Sequence, residues 1–317
     1  MIPLRLGTRA SKLATSQSQW VADRLTELTG RQVELVRITT DGDVSTAPLA
    51  SMGGVGVFVS ALREALLAGE IDFAVHSLKD LPTGDAAGLV VAAVPPREDP
   101  RDALVARDGL VLGELPPGSK VGTGSPRRAA QLRALGLGHE IVEIRGNVDT
   151  RLRKVADGEL DAVVLARAGL VRLGRADEIT ETLDPIQMLP APGQGALAVE
   201  CRDPDTDPAA ADVFAALRSL DDPWTRAAVA AERALLATLE AGCSAPVGAL
   251  GEPVEGDPEA GEEDELYLRA TVLATDGTAA VRQSTTGPLV EAEMIGRKLA
   301  AEMLADGADL LMQEESA

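Results

Sequence analysis

Lys120-Val-Gly-Thr-Gly-Ser-Pro-Arg-Arg128 reads as a strand turning into a helix. Residues 120–122 form a short strand, Ser125 suits an N-cap, and Pro126 suits the first helical position, where a missing N–H costs nothing. A helix over 125–135 follows. The same grammar runs outward in both directions. Upstream, a strand over 3–7 leads into a helix over 11–29, with Leu13, Trp20, Val21, Leu25 and Leu28 at helical spacing and Gly30 as its stop. A strand over 33–39, the Gly-rich loop Ser51-Met-Gly-Gly-Val-Gly56, a helix over 58–68 and strands over 71–75 and 89–94 come next. Downstream, strand 141–144 pairs with helix 150–156, and strand 162–165 with helix 168–173. The turn Leu189-Pro-Ala-Pro-Gly-Gln-Gly195 then precedes strand 196–201. Such alternation predicts an α/β fold with parallel-rich sheets covered by helices, binding ligand at the carboxyl ends of the strands.

Pro95-Pro-Arg-Glu-Asp-Pro100 reads as a crossover between two lobes. From about Pro223 the character changes. A long helix over 225–240, alternating segments at 266–274 and 279–285, and a last helix near 290–304 predict a small C-terminal α+β domain. The acidic, apolar-poor stretch 251–265 reads as a solvated hairpin loop.

At 317 residues the chain exceeds the about 250–300 that one core supports. Its net charge of −20 argues against nucleic acid or an anionic membrane as partner. No apolar run approaches the ~20 residues that span a bilayer, and the N-terminus lacks a signal-peptide pattern, so a cytoplasmic protein is expected. Cys201 and Cys243 are the only cysteines and His76 and His139 the only histidines, which predicts no disulfide framework and no metal site.

Against this acidic background the arginines stand out. Arg127 and Arg128 fall in a first helical turn, where the helix dipole disfavours a cation by a few tenths to about 1 kcal/mol. Arg145 ends strand 141–144 and Arg151 lies in the next first turn; Arg9 stands between the first strand and its helix. Solvated surface arginine is one reading. A ligand with several carboxylates or phosphates, held by planar guanidinium forks, is the other. For Arg172, in a helix, both readings stand. Lys79 and Asp80 follow a buried strand and read either as cleft residues or as a surface ion pair. His76 and Cys201 read as core. Cys243, in a loop after the long helix, reads by itself as a small buried residue.

The segments Leu6-Gly-Thr-Arg-Ala-Ser-Lys-Leu-Ala14, His76-Ser-Leu-Lys-Asp-Leu-Pro82, Gly122-Thr-Gly-Ser-Pro-Arg-Arg128, Ile144-Arg-Gly-Asn-Val-Asp-Thr-Arg-Leu152, Ala191-Pro-Gly-Gln-Gly-Ala196 and Gly242-Cys-Ser-Ala-Pro246 together resemble the porphobilinogen deaminase (hydroxymethylbilane synthase) family. The resemblance runs from about Leu4 to the end, with the motifs in family order. It implies two lobes similar to periplasmic binding proteins, 1–96 with 196–216 and 100–190, and a C-terminal domain over 222–317.

It also implies the transferase that joins four porphobilinogens head to tail into hydroxymethylbilane, releasing ammonia, in tetrapyrrole (heme) biosynthesis. The implied cofactor is a dipyrromethane joined to Cys243, and the implied state a monomer. Asp80 matches the family's catalytic aspartate. Arg9, Arg127, Arg128, Arg145, Arg151 and Arg172 match carboxylate-binding arginines, with Ser11, Phe58, Lys79, Thr123, Ser125 and Gln194 as further contacts. One departure is that 51–55 carries none of the lysines many members have there. The rival readings are a non-catalytic two-lobed binder of a polyanion and a pyridoxal-phosphate enzyme using Lys79, and a visible absorption scan separates them, since an internal aldimine absorbs near the violet and a solute binder shows nothing.

Overall fold

The computed structural model describes residues 2–38, 57–241, 245–257, 259 and 261–312. The chain forms two compact units, residues 1–97 with 196–226 and residues 98–195 with 227–317.

The first unit is built on β1 (Leu4–Thr8), β2 (Val33–Arg37), β3 (Phe73–Ser77), β4 (Leu89–Ala93) and β10 (Leu197–Arg202), in the order β2-β1-β3-β10-β4. The strands β1, β2 and β3 run parallel, and β10 is antiparallel to both of its neighbours. Helix α1 (Lys12–Thr29) lays Val21, Ala22 and Leu25 on this sheet, and Gly30 ends it in the left-handed conformation at φ 71°. Helix α2 (Val57–Leu67) places Leu62 and Leu66 in a second cluster with Ile71 and Ala74. Cys201, among Leu197 and Val199, is core as expected, its thiol pushed up to about 12 by burial.

The second unit repeats this order. Its strands β5 (Asp102–Ala106), β6 (Lys120–Thr123), β7 (Glu140–Glu143), β8 (Ala162–Ala166) and β9 (Glu181–Thr182) run β7-β6-β8-β5-β9. Here β5 is the antiparallel strand, against both β8 and β9. Burial alternates with period two. Leu104, Val121 and Val164 lie in one cluster, and Ala103, Val105, Val163 and Leu165 in another. Helix α3 (Pro126–Ala134) contributes Leu132 to the first. Helices α4 (Val148–Ala156) and α5 (Arg167–Arg172) contribute Leu152 and Leu170 to the second. With both faces covered, the strands are apolar without alternation. The short β5, directly after the prolines, is not among the strands expected from the sequence.

Helix α6 (Ala211–Leu217) is followed by α7 (Pro223–Thr238) and an antiparallel sheet, β11 (Val247–Val254), β12 (Glu265–Leu273) and β13 (Ala280–Pro288). The stretch expected to be a loop from residue 251 begins as strand instead. Gly251–Val254 pairs with Leu268–Glu265, exposed side chains alternating outward on a hydrogen-bonded edge. Helices α8 (Ala292–Ala305) and α9 (Ala308–Met312) complete a core of Ala231, Leu235, Leu268, Val272, Ile295, Leu299 and Met303.

The α7–α8 crossing is close because Gly296 faces the Ala231 carbonyl. A Cβ at 296 would collide with that carbonyl and with the Leu235 N–H. Gly296→Ala is therefore expected to lose about 1–3 kcal/mol despite alanine's better helix propensity. Chemical denaturation checks this; an equal or raised midpoint would contradict the packing described.

Candidate active site

In the second unit, β6 ends at Thr123 and the chain turns through Gly124. A Cβ there would stand 2.5 Å from the Ile144 carbonyl, so only glycine lets the ends of β6 and β7 approach. Thr123 Oγ1 accepts the Ser125 N–H at 3.2 Å, and Ser125 caps α3 by accepting from Arg128 N. Arg127 and Arg128 thus enter the first turn, but they point inward. Both are buried, at 3% and 5% exposure, and Asp102 at the start of β5 is completely buried between them.

Asp102 Oδ2 accepts from Arg127 Nη2 at 2.8 Å; its Oδ1 accepts from Arg128 Nη2 at 2.7 Å and Nε at 3.0 Å. Gln194 Nε2 donates to Asp102 Oδ1 at 2.8 Å and to the Pro100 carbonyl at 2.7 Å. The remaining donors reach carbonyls: Arg127 Nη1 to Leu189 at 2.5 Å, Arg128 Nη1 to Val164 at 3.3 Å. Burial pushes the Asp102 carboxyl up, but the two guanidinium charges and the hydrogen bonds from Arg128 and Gln194 outweigh it. They hold the carboxyl well below the ordinary range.

The sequence assigned the counter-charge of this helix start to a ligand; the chain's own Asp102 provides one. Nothing in the sequence analysis singled Asp102 out. Its signal is an acid opening an apolar strand, Arg101-Asp-Ala-Leu-Val-Ala106.

Arg145 and Arg151 gather beside this network. Asn147 caps α4 by accepting from Thr150 N at 2.9 Å, and Arg151 in the helix donates Nε to the Gly146 carbonyl at 2.8 Å. Arg145 pairs with Glu143 at 2.7 Å, both exposed. Arg151 is held below its ordinary value by burial and by the charges of Arg128 and Arg145, and among the described residues no carboxylate is ion-paired with it. Four guanidiniums therefore meet two paired carboxylates, Asp102 and Glu143. Arg172 donates to the Gly195 carbonyl at 2.7 Å and is lowered by burial, with Glu98 opposing.

The first unit holds the other expected site residues. Ser11 caps α1, accepting from Ala14 N at 3.2 Å, and the Arg9 carbonyl accepts from Thr15 Oγ1. Strand β3 runs into a single 3-10 turn, Leu78–Asp80, anchored by Leu78 N–H donating to the Ala196 carbonyl at 3.0 Å. On that turn Lys79 is half-buried and Asp80 exposed. Among the described residues the Asp80 carboxylate makes no hydrogen bond or ion pair. His76 is buried as expected, with Nε2 3.0 Å from Glu200 Oε2, and Arg63 donates to the same carboxylate at 2.8 Å; these two partners were not singled out in the sequence. The Phe58 side chain, the lysine-free loop 51–55 and Cys243 lie outside the described residues. No cluster of His, Cys, Asp or Glu among the described residues is arranged to hold a metal.

These features define an α/β chain with two like-ordered mixed sheets, one of which gathers surplus guanidinium charge at its strand ends. The family model for the porphobilinogen deaminase, dipyromethane cofactor binding domain, matches residues 4–210, and that for the porphobilinogen deaminase C-terminal domain matches 226–305. A Nocardia farcinica protein named porphobilinogen deaminase is 60% identical over 99% of this chain and 89% of its own length. One of that name from Mycobacterium tuberculosis H37Rv is 61% identical over 98% of each. The chain belongs to the porphobilinogen deaminase family. Among solved structures, the methionine-binding protein MetQ is 16% identical with a TM-score of 0.42 over 68% of this chain and 89% of MetQ, too distant to bear on the site.

Removing one partner of a buried ion group strands the other, at about 3–5 kcal/mol. Asp102→Asn should lose that much, and Arg127→Leu and Arg128→Leu should lose stability as well as any binding role. Because the folded-state pKa of Asp102 is depressed, its contribution is present above the unfolded value of about 3.9 and fades as pH falls below it. Melting curves from pH 7 to pH 2 should therefore show a steeper acid decline in wild type than in Asp102→Asn; parallel declines would contradict the assignment.

Proposed function

We propose that the chain condenses four porphobilinogen molecules head to tail into hydroxymethylbilane, releasing ammonia at each step, on a dipyrromethane primer attached through Cys243. The observation carrying this reading is the surplus of guanidinium charge around Arg128, Arg145 and Arg151 in a protein of net charge −20. Each pyrrole of this substrate bears an acetate and a propionate, so the donor set fits a ligand that gains two carboxylates per ring. Arginine pairs such groups bidentately. The dipyrromethane, when bound, supplies the pyrrole carbon to which the first substrate is joined.

The protein's own residues divide the remaining tasks. Arg9, Arg128, Arg145, Arg151 and Arg172 bind side-chain carboxylates, and Arg127 backs Arg128 through Asp102. Ser11, Phe58, Lys79, Thr123, Ser125 and Gln194 complete the contacts. Asp80, an exposed carboxylate on a turn anchored by a buried strand, stabilises the positive charge that develops on the substrate as ammonia departs and accepts a proton from the pyrrole. The reading includes a monomeric, cytoplasmic enzyme with three domains, 1–96 with 196–216, 100–190 and 222–317, acting apart from nucleic acid and membranes; no helix among the described residues is long and apolar enough to cross one.

Two measurements test this. The intact mass of the purified chain should exceed that of its sequence by two linked pyrrole units, and Cys243→Ala should show the bare mass and no turnover. An unmodified mass in an active preparation would refute the attachment. Asp80→Asn, with its mass increment retained, should turn over about 10²–10³ more slowly; a rate within a few-fold of wild type would remove Asp80 from the chemistry.

A further inference from the structure

Glu232 is completely buried in α7, at helical spacing with the core residues Ala228, Ala231 and Leu235. A carboxylate in such a place is costly unless its oxygens are met by donors. Its Oε2 accepts the Gly193 N–H at 2.6 Å and its Oε1 the Gly251 N–H at 2.8 Å. One side chain thereby joins the helix to the turn 189–195 and to β11.

The surrounding backbones approach closely. The Ala249 N–H donates to the Pro190 carbonyl at 2.9 Å. A Cβ on Gly248 would lie 2.9 Å from the Leu189 carbonyl, and one on Gly251 would lie 2.9 Å from that of Ala228. Little space is left for the turn to shift without breaking the bond to Glu232.

That turn is also where the arginine network closes. The Leu189 carbonyl accepts from Arg127 and from Gln131, whose Oε1 accepts the Leu189 N–H at 2.8 Å. Gln194 reaches Asp102 and accepts from Arg128, and the Gly195 carbonyl accepts from Arg172. Gly193 and Gly195, at φ 74° and 88°, hold backbone conformations that a free glycine readily leaves. Within the turn the Gln194 N–H donates to the Ala191 carbonyl at 2.9 Å, and the bonds from outside fix where the turn sits.

We propose that Glu232 is a positioning residue for the carboxylate-binding arginines. Through the Gly193 N–H it fixes the 189–195 turn, and through Gln194 and Gly195 it sets the directions of Arg128 and Arg172, while Leu189 holds Arg127 behind Arg128. The proposal rests on the reading of these arginines as substrate binders and adds a residue that touches no substrate.

The test uses the full chain with Glu232→Gln, which keeps the volume but turns an N–H donor towards an amide that needs an acceptor. Hydrogen exchange should accelerate at 189–196 and around Gly251 while β6 and β8 keep wild-type protection. The KM for porphobilinogen should rise on the order of 10- to 100-fold, as misplaced contacts produce, with kcat within a few-fold.

Wild-type exchange at 189–196 would overturn the proposal. So would faster exchange there with an unchanged KM, or an acceleration spread evenly over α7 and β11–β13, which would mark a purely structural role. If Glu232→Gln does not accumulate folded, Glu232→Asp, with the charge one methylene back, is read by the same outcomes. Should wild type turn over no porphobilinogen, the functional reading fails on that fact alone. The exchange pattern of the variant then still decides whether Glu232 sets the turn.

Discussion

A carboxylate with no exposure, Asp102, sits between two guanidiniums at the start of a helix, and the arrangement of the second unit follows from that requirement. Arg127 and Arg128 are opposed twice, by the positive end of α3 and by burial. One internal anion answers both while Gln194 and main-chain carbonyls take up the remaining donors. The direction of β5 makes this possible. Since β5 runs antiparallel to β8, with Asp102 opposite Ala166, its first residue lies where the parallel strands β6 and β8 end. An all-parallel sheet would bring only helix starts and loops to that edge; one reversed strand brings an acid to it.

The first unit uses the same device to another end. There β10 is the reversed strand, with Leu197 opposite Ser77, so its start meets the end of β3. What it delivers is the Ala196 carbonyl, which anchors the turn bearing Lys79 and Asp80. Further along, Glu200 meets His76 across the strand pair and Arg63 from α2; burial works against this carboxylate, and hydrogen bonds from both partners hold it below its ordinary value. In both units the strand that breaks the parallel pattern organises the strand ends expected to face ligand.

Much of this is legible in the residues. Ser125-Pro126 announces the start of α3, Gly30 the end of α1, and the strand–helix alternation the α/β class. Misplaced charge marks Arg127, Arg128, Arg145 and Arg151 before any coordinates are known. The illegible part is pairing over distance. The reversed strands β5 and β10 carry no local signature of direction, so the partner of Arg128 could not be read from 26 residues away. Gly251–Val254 looked like loop because exposed edge strands lack the apolar alternation that identifies buried ones. Glu232, one acid within the long helix expected over 225–240, was not singled out, because its bonds to the backbone amides of Gly193 and Gly251 are again pairings over distance.

The sheet order β2-β1-β3-β10-β4 also bears on how the protein is made. In that sheet β4 pairs only with β10, and β10 is encoded after the whole of residues 98–195. During synthesis β1, β2 and β3 can assemble, but β4 must wait unpaired while roughly a hundred residues follow it out of the ribosome, at about 5–20 residues per second. For some seconds the nascent chain displays an apolar strand, Leu-Val-Val-Ala-Ala, and an open edge at β3. Both are closed only once β10 stands between them. The sheet of residues 98–195 is drawn from one contiguous stretch and needs no such delay, so the later-made lobe is free to complete its sheet before the earlier one.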